Sequence, residues 1–254
     1  MSMLRMTSAI ALLIAMAGTM AHADTKPAVK DIVIVHGALV DGLGWRAVYD
    51  ILSKDGFHVT IVEEPLTSLA EDVEATQRAL DQQTGPVVLV GHSYAGSVIT
   101  EAGADPKVSA LVYVAALQPD AGETSGQLLS KYAPPSDAMR PATNRPSQDK
   151  YFFMLPAKFR DGYAADVPAK EAQFLADSQQ QLAEKALGEP VSVAAWRTKP
   201  SYAILTTRDH AISPDLQRWM YQRSGAKVTE VAASHAVFIS QPAAVARVIE
   251  AAAK

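Results

Sequence analysis

Six histidines, no cysteine, and one serine set between a strand-like and a helix-like run mark where this 254-residue sequence could hold chemistry. The serine is Ser93 in VVLVGHSYAGSVITEAG, where an apolar run enters Gly91-His92-Ser93-Tyr94-Ala95-Gly96 and continues as a helical pattern. A serine at so sharp a turn has its hydroxyl lifted out on a strained backbone, and the residues two positions away on either side must be small so that strand and helix can approach. Gly91 and Ala95 meet that requirement. A hydroxyl is a weak nucleophile at neutral pH, so it needs a base to take its proton and a carboxylate to hold that base in the right tautomer.

Other chemistries find less support. Without cysteine there is no thiolate nucleophile, no Cys-type zinc site and no disulfide. No HExxH, EF-hand or P-loop spacing occurs, so neither a metal nor a cofactor is expected. Gly42-Leu43-Gly44-Trp45-Arg46-Ala47 does match the glycine pattern of dinucleotide-binding proteins, with Glu63 after the next strand. In those proteins the first glycine follows the strand at once, whereas here six residues separate Val35 from Gly42. The net charge of −4 and the scattering of basic among acidic residues leave no electrostatic footprint for nucleic acid, which makes a small molecule the expected partner.

The elements that must position Ser93 follow from hydrophobic patterning. Short continuous apolar runs at 31–35, 58–62, 87–91, 109–115, 202–207 and 227–231 read as strands buried on both faces. Helical stretches at 45–54, 68–82, 94–104, 214–223 and 242–253 alternate with them, which predicts an α/β fold, a mostly parallel twisted sheet flanked by helices. Ser68 followed by Glu71 has capping-box spacing, Pro214 follows Ser213 as a first-turn proline follows its cap, and Gly56 and Gly225 stand where helices should stop.

The rhythm breaks between 118 and 199, where prolines are frequent and helical segments such as the one read at 170–187 are amphipathic. We expect a helical cap here, inserted between two parts of a core at 24–117 and 200–254. Its large apolar residues (Tyr132, Tyr151, Phe152, Phe153, Met154, Phe159, Tyr163, Phe174 and Trp196) could roof a pocket, with Phe152, Phe153 and Trp196 as candidate lining. Residues 1–23 form a separate unit: Arg5, an apolar run from Ala9 to Met20, and Ala21-His22-Ala23 have the layout of a secretory signal peptide. The run is shorter than the roughly 20 residues of a membrane span, so export without an anchor is expected.

With its GHSYAG elbow, its HGA loop and SHAVFISQP near the end, the chain resembles the α/β-hydrolase family, in particular the branch of plant methylesterases and hydroxynitrile lyases with their bacterial homologues. It departs from the usual G-x-S-x-G elbow in carrying Ala95 at the second glycine. The resemblance implies the chain order Ser, Asp, His and so makes His235, in the loop VAASHAVFIS, the base for Ser93. Asp209, just past the strand YAILTT, stands at the carboxyl edge of the sheet and is read as the acid, with Asp120 after ALVYVAA as its rival.

The resemblance also implies an oxyanion hole from the backbone N–H groups of Tyr94 and Ala38, supported by His36 and Gly37 of the HGA loop. Hydroxynitrile lyases carry a lysine after the histidine, where this chain has Ala236. The expected activity is therefore serine hydrolysis of a small-to-medium apolar carboxylic ester. A small-molecule binder of the same fold, and a cofactor-free lyase or oxygenase using His235 as base, stand as alternatives.

Overall fold

The computed structural model describes residues 29–132 and 150–254. The expected leader at 1–23 lies outside them.

In chain order the elements are β1 (Asp31–Val35), α1 (Arg46–Lys54), β2 (His58–Val62), α2 (Leu69–Asp81), β3 (Val87–His92), α3 (Ala95–Ala102), β4 (Val108–Val114) and α4 (Ser125–Lys131). There follow β5 (Tyr151–Phe152), α5 (Pro156–Tyr163), α6 (Ala169–Asp177), β6 (Leu182–Ala183) and α7 (Glu184–Gly188). The chain then returns to the core with β7 (Ser201–Thr206), α8 (Pro214–Ser224), β8 (Lys227–Val231), α9 (Val237–Ser240) and α10 (Pro242–Ala252).

Six strands form one parallel sheet in the order β2-β1-β3-β4-β7-β8. Side chains alternate across a strand, so each apolar run serves two cores. Ile32, Ile34, Val88, Val90, Val112 and Val114 face one way, onto Val48 and Leu52 of α1 and Val245 and Ile249 of α10. Val33, Val35, Leu89, Leu111 and Tyr113 face the other way, onto α2, α3 and α8. Burying each such aliphatic side chain contributes about 1.5–3 kcal/mol, and strands buried on both faces collect that on every residue. β8, with four of its five residues exposed, is an edge strand.

Local signals end the helices as expected. Ser68 Oγ accepts the Glu71 amide at 3.2 Å, Pro214 opens α8, and Gly225 closes it with φ of 68°. The described part of the segment between β4 and β7 carries the helices α4 to α7 but departs from the expected pattern in one respect. The amphipathic stretch 170–187 is not one helix: α6 stops at Asp177, β6 pairs antiparallel with β5, and α7 starts afresh. Gln179 explains the break, because its side chain bonds both the amide and the carbonyl of Met154, at 2.9 Å each, beside the β5–β6 ribbon.

β3 sits near the centre of the sheet, and its end sets the position of Ser93. The strand stops at His92, Ser93 takes φ of 56°, and α3 begins two residues later. That reversal brings α3 hard against the chain after β4: a Cβ on Gly96 would lie 1.9 Å from the Leu117 carbonyl oxygen. We predict that Gly96→Ala forces α3 off the β4 exit and destabilises the protein by at least about 1–3 kcal/mol, read as a lower urea midpoint at unchanged slope.

Candidate active site

Ser93, His235 and Asp209 come from three separate strand ends and meet in one line. His235 Nε2 lies 2.8 Å from Ser93 Oγ, and its Nδ1 lies 2.8 Å from Asp209 Oδ2. A carboxylate can only accept, so Nδ1 carries the ring proton and Nε2 is left to accept from the serine hydroxyl. The arrangement can take a proton from Oγ as that oxygen attacks an electrophile.

Asp209 is fully buried and densely hydrogen-bonded. Its Oδ1 accepts the amides of Ala211 at 2.8 Å and Ile212 at 2.9 Å. Its Oδ2 accepts Thr206 Oγ1 at 2.7 Å and Gln217 Nε2 at 3.0 Å, besides the histidine. A buried carboxylate needs such donors, and this set leaves it one orientation toward His235. Thr206 and Gln217 were not apparent from sequence. Their signal is weak, because a threonine three residues before the acid and a glutamine one turn into the following helix look like ordinary polar positions until both prove buried.

Asp120, the rival acid, is engaged elsewhere. It pairs with Arg197, whose Nε lies 2.8 Å from Oδ1, and caps the Ala121 amide, so its carboxyl is held below the usual aspartate range chiefly by that guanidinium. The structure therefore gives His235 to Asp209.

The first-strand loop packs directly on the elbow. A Cβ on Gly37 would lie 2.6 Å from His92 Nδ1 and 2.8 Å from Ser93 Cβ, so only glycine allows this approach. His36 braces the loop: its Nδ1 bonds the Gly37 carbonyl at 2.9 Å, and its Nε2 accepts the Glu64 amide at 3.0 Å. Gly91 approaches the Ala95 carbonyl closely enough that a Cβ there would sit at 2.7 Å. Gly42 begins a short turn capped by Asp41, and Glu63 folds over it, so the dinucleotide-like pattern is used for packing at this corner.

The chain matches the model of the alpha/beta hydrolase family over residues 32–248. It belongs to that family. An alpha/beta hydrolase of Aspergillus novofumigatus is 29% identical over 252 residues, covering 90% of this chain and 97% of that protein. Methylesterase 8 of Arabidopsis thaliana is 25% identical over 208 residues, covering 74% of this chain and 75% of that one. Among solved structures, a pyrethroid hydrolase from Sphingobium faniae superposes with a TM-score of 0.77 at 21% identity, over 89% of this chain and 97% of its own.

As in other open α/β sheets, the site lies at the carboxyl ends of the strands. Ser93 and His235 open onto a cavity of about 440 Å³ that Ala38 and Tyr94 also border. Phe152, Phe153, Tyr132 and Tyr163 line it, together with Leu39, Leu129, Leu182, Leu187, Ile212 and Leu216. Trp196 does not line it, contrary to expectation. A short turn at Ala195–Arg197 places its indole N–H on the Pro119 carbonyl at 2.7 Å, with the Arg197 and Arg223 guanidinium groups over the ring. Phe159 is core, and Phe174 is exposed.

Behind Tyr94 lies a buried acidic pair that sequence reading did not single out. Tyr94 Oη donates to Asp72 Oδ2 at 2.8 Å, and the Leu66 amide donates to Oδ1 at 2.8 Å. Burial, only partly offset by those donors, pushes the Asp72 carboxyl up to about 6. Glu64 beside it is raised well above the usual range by burial and then by Asp72. A carboxyl raised on folding binds protons that the unfolded chain has released, so stability falls as pH rises from 3.8, the ordinary aspartate value, to about 6. We predict that Asp72→Asn removes much of this fall, on the order of 2–3 kcal/mol, in urea titrations of wild type and variant across that window.

Proposed function

We propose that this protein hydrolyses carboxylic esters through an acyl-enzyme on Ser93. The observation that carries the reading is the unbroken line from Asp209 through His235 to Ser93, 2.8 Å at each step, at the floor of an apolar cavity. That relatives bear the names methylesterase and pyrethroid hydrolase supports the same chemistry.

In this mechanism Ser93 Oγ attacks the ester carbonyl as His235 Nε2 accepts its proton. The negative oxygen of the tetrahedral adduct is met by the amides of Ala38 and Tyr94, the second at the positive end of α3. The adduct collapses when the C–O bond to the alcohol breaks and imidazolium returns its proton to the leaving oxygen. A water that gives a proton to His235 then attacks the acyl-serine, and a second collapse frees the carboxylic acid and restores the serine hydroxyl. Asp209 holds the ring and stabilises its cation throughout.

The lining supports a substrate class. No lysine, arginine, aspartate or glutamate borders the cavity among the described residues, so a charged acyl or alcohol group would lose its hydration without a counter-ion. Neutral, predominantly apolar esters of small to medium size are the fitting class. Residues 1–23, read as an export signal, would place this activity outside the cytoplasm. Among the described residues no helix is long and apolar enough to cross a membrane.

A fluorophosphonate is expected to add once to the wild type and not to Ser93→Ala; labelling retained in that variant would overturn the nucleophile. On p-nitrophenyl esters of increasing acyl length, kcat/KM is expected to peak at short or medium chains and to fall by at least about 1000-fold in His235→Ala. Absence of hydrolysis across the panel, with tight binding of the same esters, would favour a binding protein instead.

A further inference from the structure

His92 is fully buried beside the site and is unused in the mechanism above. Its Nε2 lies 3.0 Å from the His235 carbonyl oxygen. A carbonyl can only accept, so Nε2 carries the proton and donates. The two imidazole rings lie 4.6 Å apart, and the His92 ring is further packed by Phe238 at 4.7 Å, Tyr163 at 6.2 Å and Trp45 at 6.3 Å. Its Nδ1 has no hydrogen-bond partner among the described residues and faces Gly37. No acceptor for a second ring proton lies there among the described residues, and burial, with the neighbouring His235, keeps its pKa well below the usual histidine range.

Three successive residues around the base are tied down by different parts of the molecule. The Ser234 amide donates to Asp166 Oδ2 at 3.0 Å, and the Ala236 amide donates to the Tyr163 carbonyl at 3.0 Å, both partners lying in or just after α5. Between them the His235 carbonyl is held by His92, at the end of the strand that carries Ser93. Nucleophile and base are separated by 142 residues, yet adjacent residues of one strand end grip both.

We propose that His92 is a positioning residue, whose Nε2–H sets the height of the His235 backbone and so registers the imidazole against Ser93. The inference rests on the proposed hydrolase reading for its consequence in turnover. Its geometry can be tested without that reading. The neutral ring serves a second end: a permanent cation 4.6 Å away would oppose the imidazolium that His235 must become.

The test compares two variants. His92→Phe keeps a ring and loses the donor, while His92→Gln places an amide N–H near the same reach. In the phenylalanine variant kcat is expected to fall about 10- to 100-fold with KM within about twofold, because a misplaced base costs chemistry and not binding. The glutamine variant is expected to recover to within about fivefold of wild type. The low-field proton resonance of the Asp209–His235 bond should persist in wild type and His92→Gln and shift or vanish in His92→Phe.

Wild-type kcat in folded His92→Phe, or equal losses in both variants, would overturn the proposal. Should the phenylalanine variant fail to fold, His92→Met against His92→Gln makes the same comparison. If wild type hydrolyses no ester, the functional reading fails by itself and the resonance decides: an unchanged signal in the donor-less variant overturns the positioning role, and its loss upholds it.

Discussion

The left-handed turn at Ser93 is the constraint on which the rest of the site depends. A φ of 56° is costly for a residue with a Cβ, and here it is locked by bonds on both sides. The Ser93 amide donates to the Val114 carbonyl, while the Ser93 carbonyl accepts from the amides of Gly96 and Leu117. β4 and the chain that follows it therefore hold the turn open, and Gly96 is small because Leu117 must pass against it. Because β3 is an interior strand paired with β1 and β4, strain at its tip is borne by the most buried part of the sheet.

A second set of contacts brings the remaining groups to that fixed point. Asp209 is oriented from within the core, by Thr206 at the end of β7 and Gln217 on α8. His235 is gripped partly from the segment between β4 and β7, through Asp166 and the Tyr163 carbonyl, and Tyr163 also stands edge-on to the imidazole at 4.7 Å. The same segment reaches the opposite rim, where the Ala183 amide and Gln180 Nε2 bond the carbonyls of Leu66 and Glu64. This segment thus braces the histidine loop on one side and the β2–α2 loop on the other, besides walling the cavity.

Polar groups in this region are divided sharply by environment. The line from Asp209 to Ser93 is saturated with donors, and the cavity in front of it is lined by apolar side chains. Glu64, by contrast, has both carboxyl oxygens buried without a partner among the described residues, and that burial raises its pKa well above the usual range.

The strand order could not be read along the chain, but the strands could, because burial on both faces writes a continuous apolar run into the sequence. Ser93 was legible for a similar reason: strand, small residues and helix pattern lie next to one another. The HGA loop and His235 were legible through resemblance, since each sits in a short local motif. The choice of Asp209 over Asp120 was decided by tertiary structure, because both follow a strand and only the fold shows Arg197 beside one and His235 beside the other.

The single helix expected at 170–187 failed because amphipathic spacing does not reveal a glutamine that will bond the backbone of Met154. Trp196 was misplaced because an aromatic in an insertion gives no sign of which side it faces. Thr206, Gln217 and His92 acquired meaning only on folding, since their partners lie elsewhere in the chain or depend on its turns. The sequence by itself determined the elements and the sharp turn at Ser93, which are local properties. The tertiary structure decided which polar side chains share a buried space, because hydrogen bonds between distant residues leave no periodic trace in the chain.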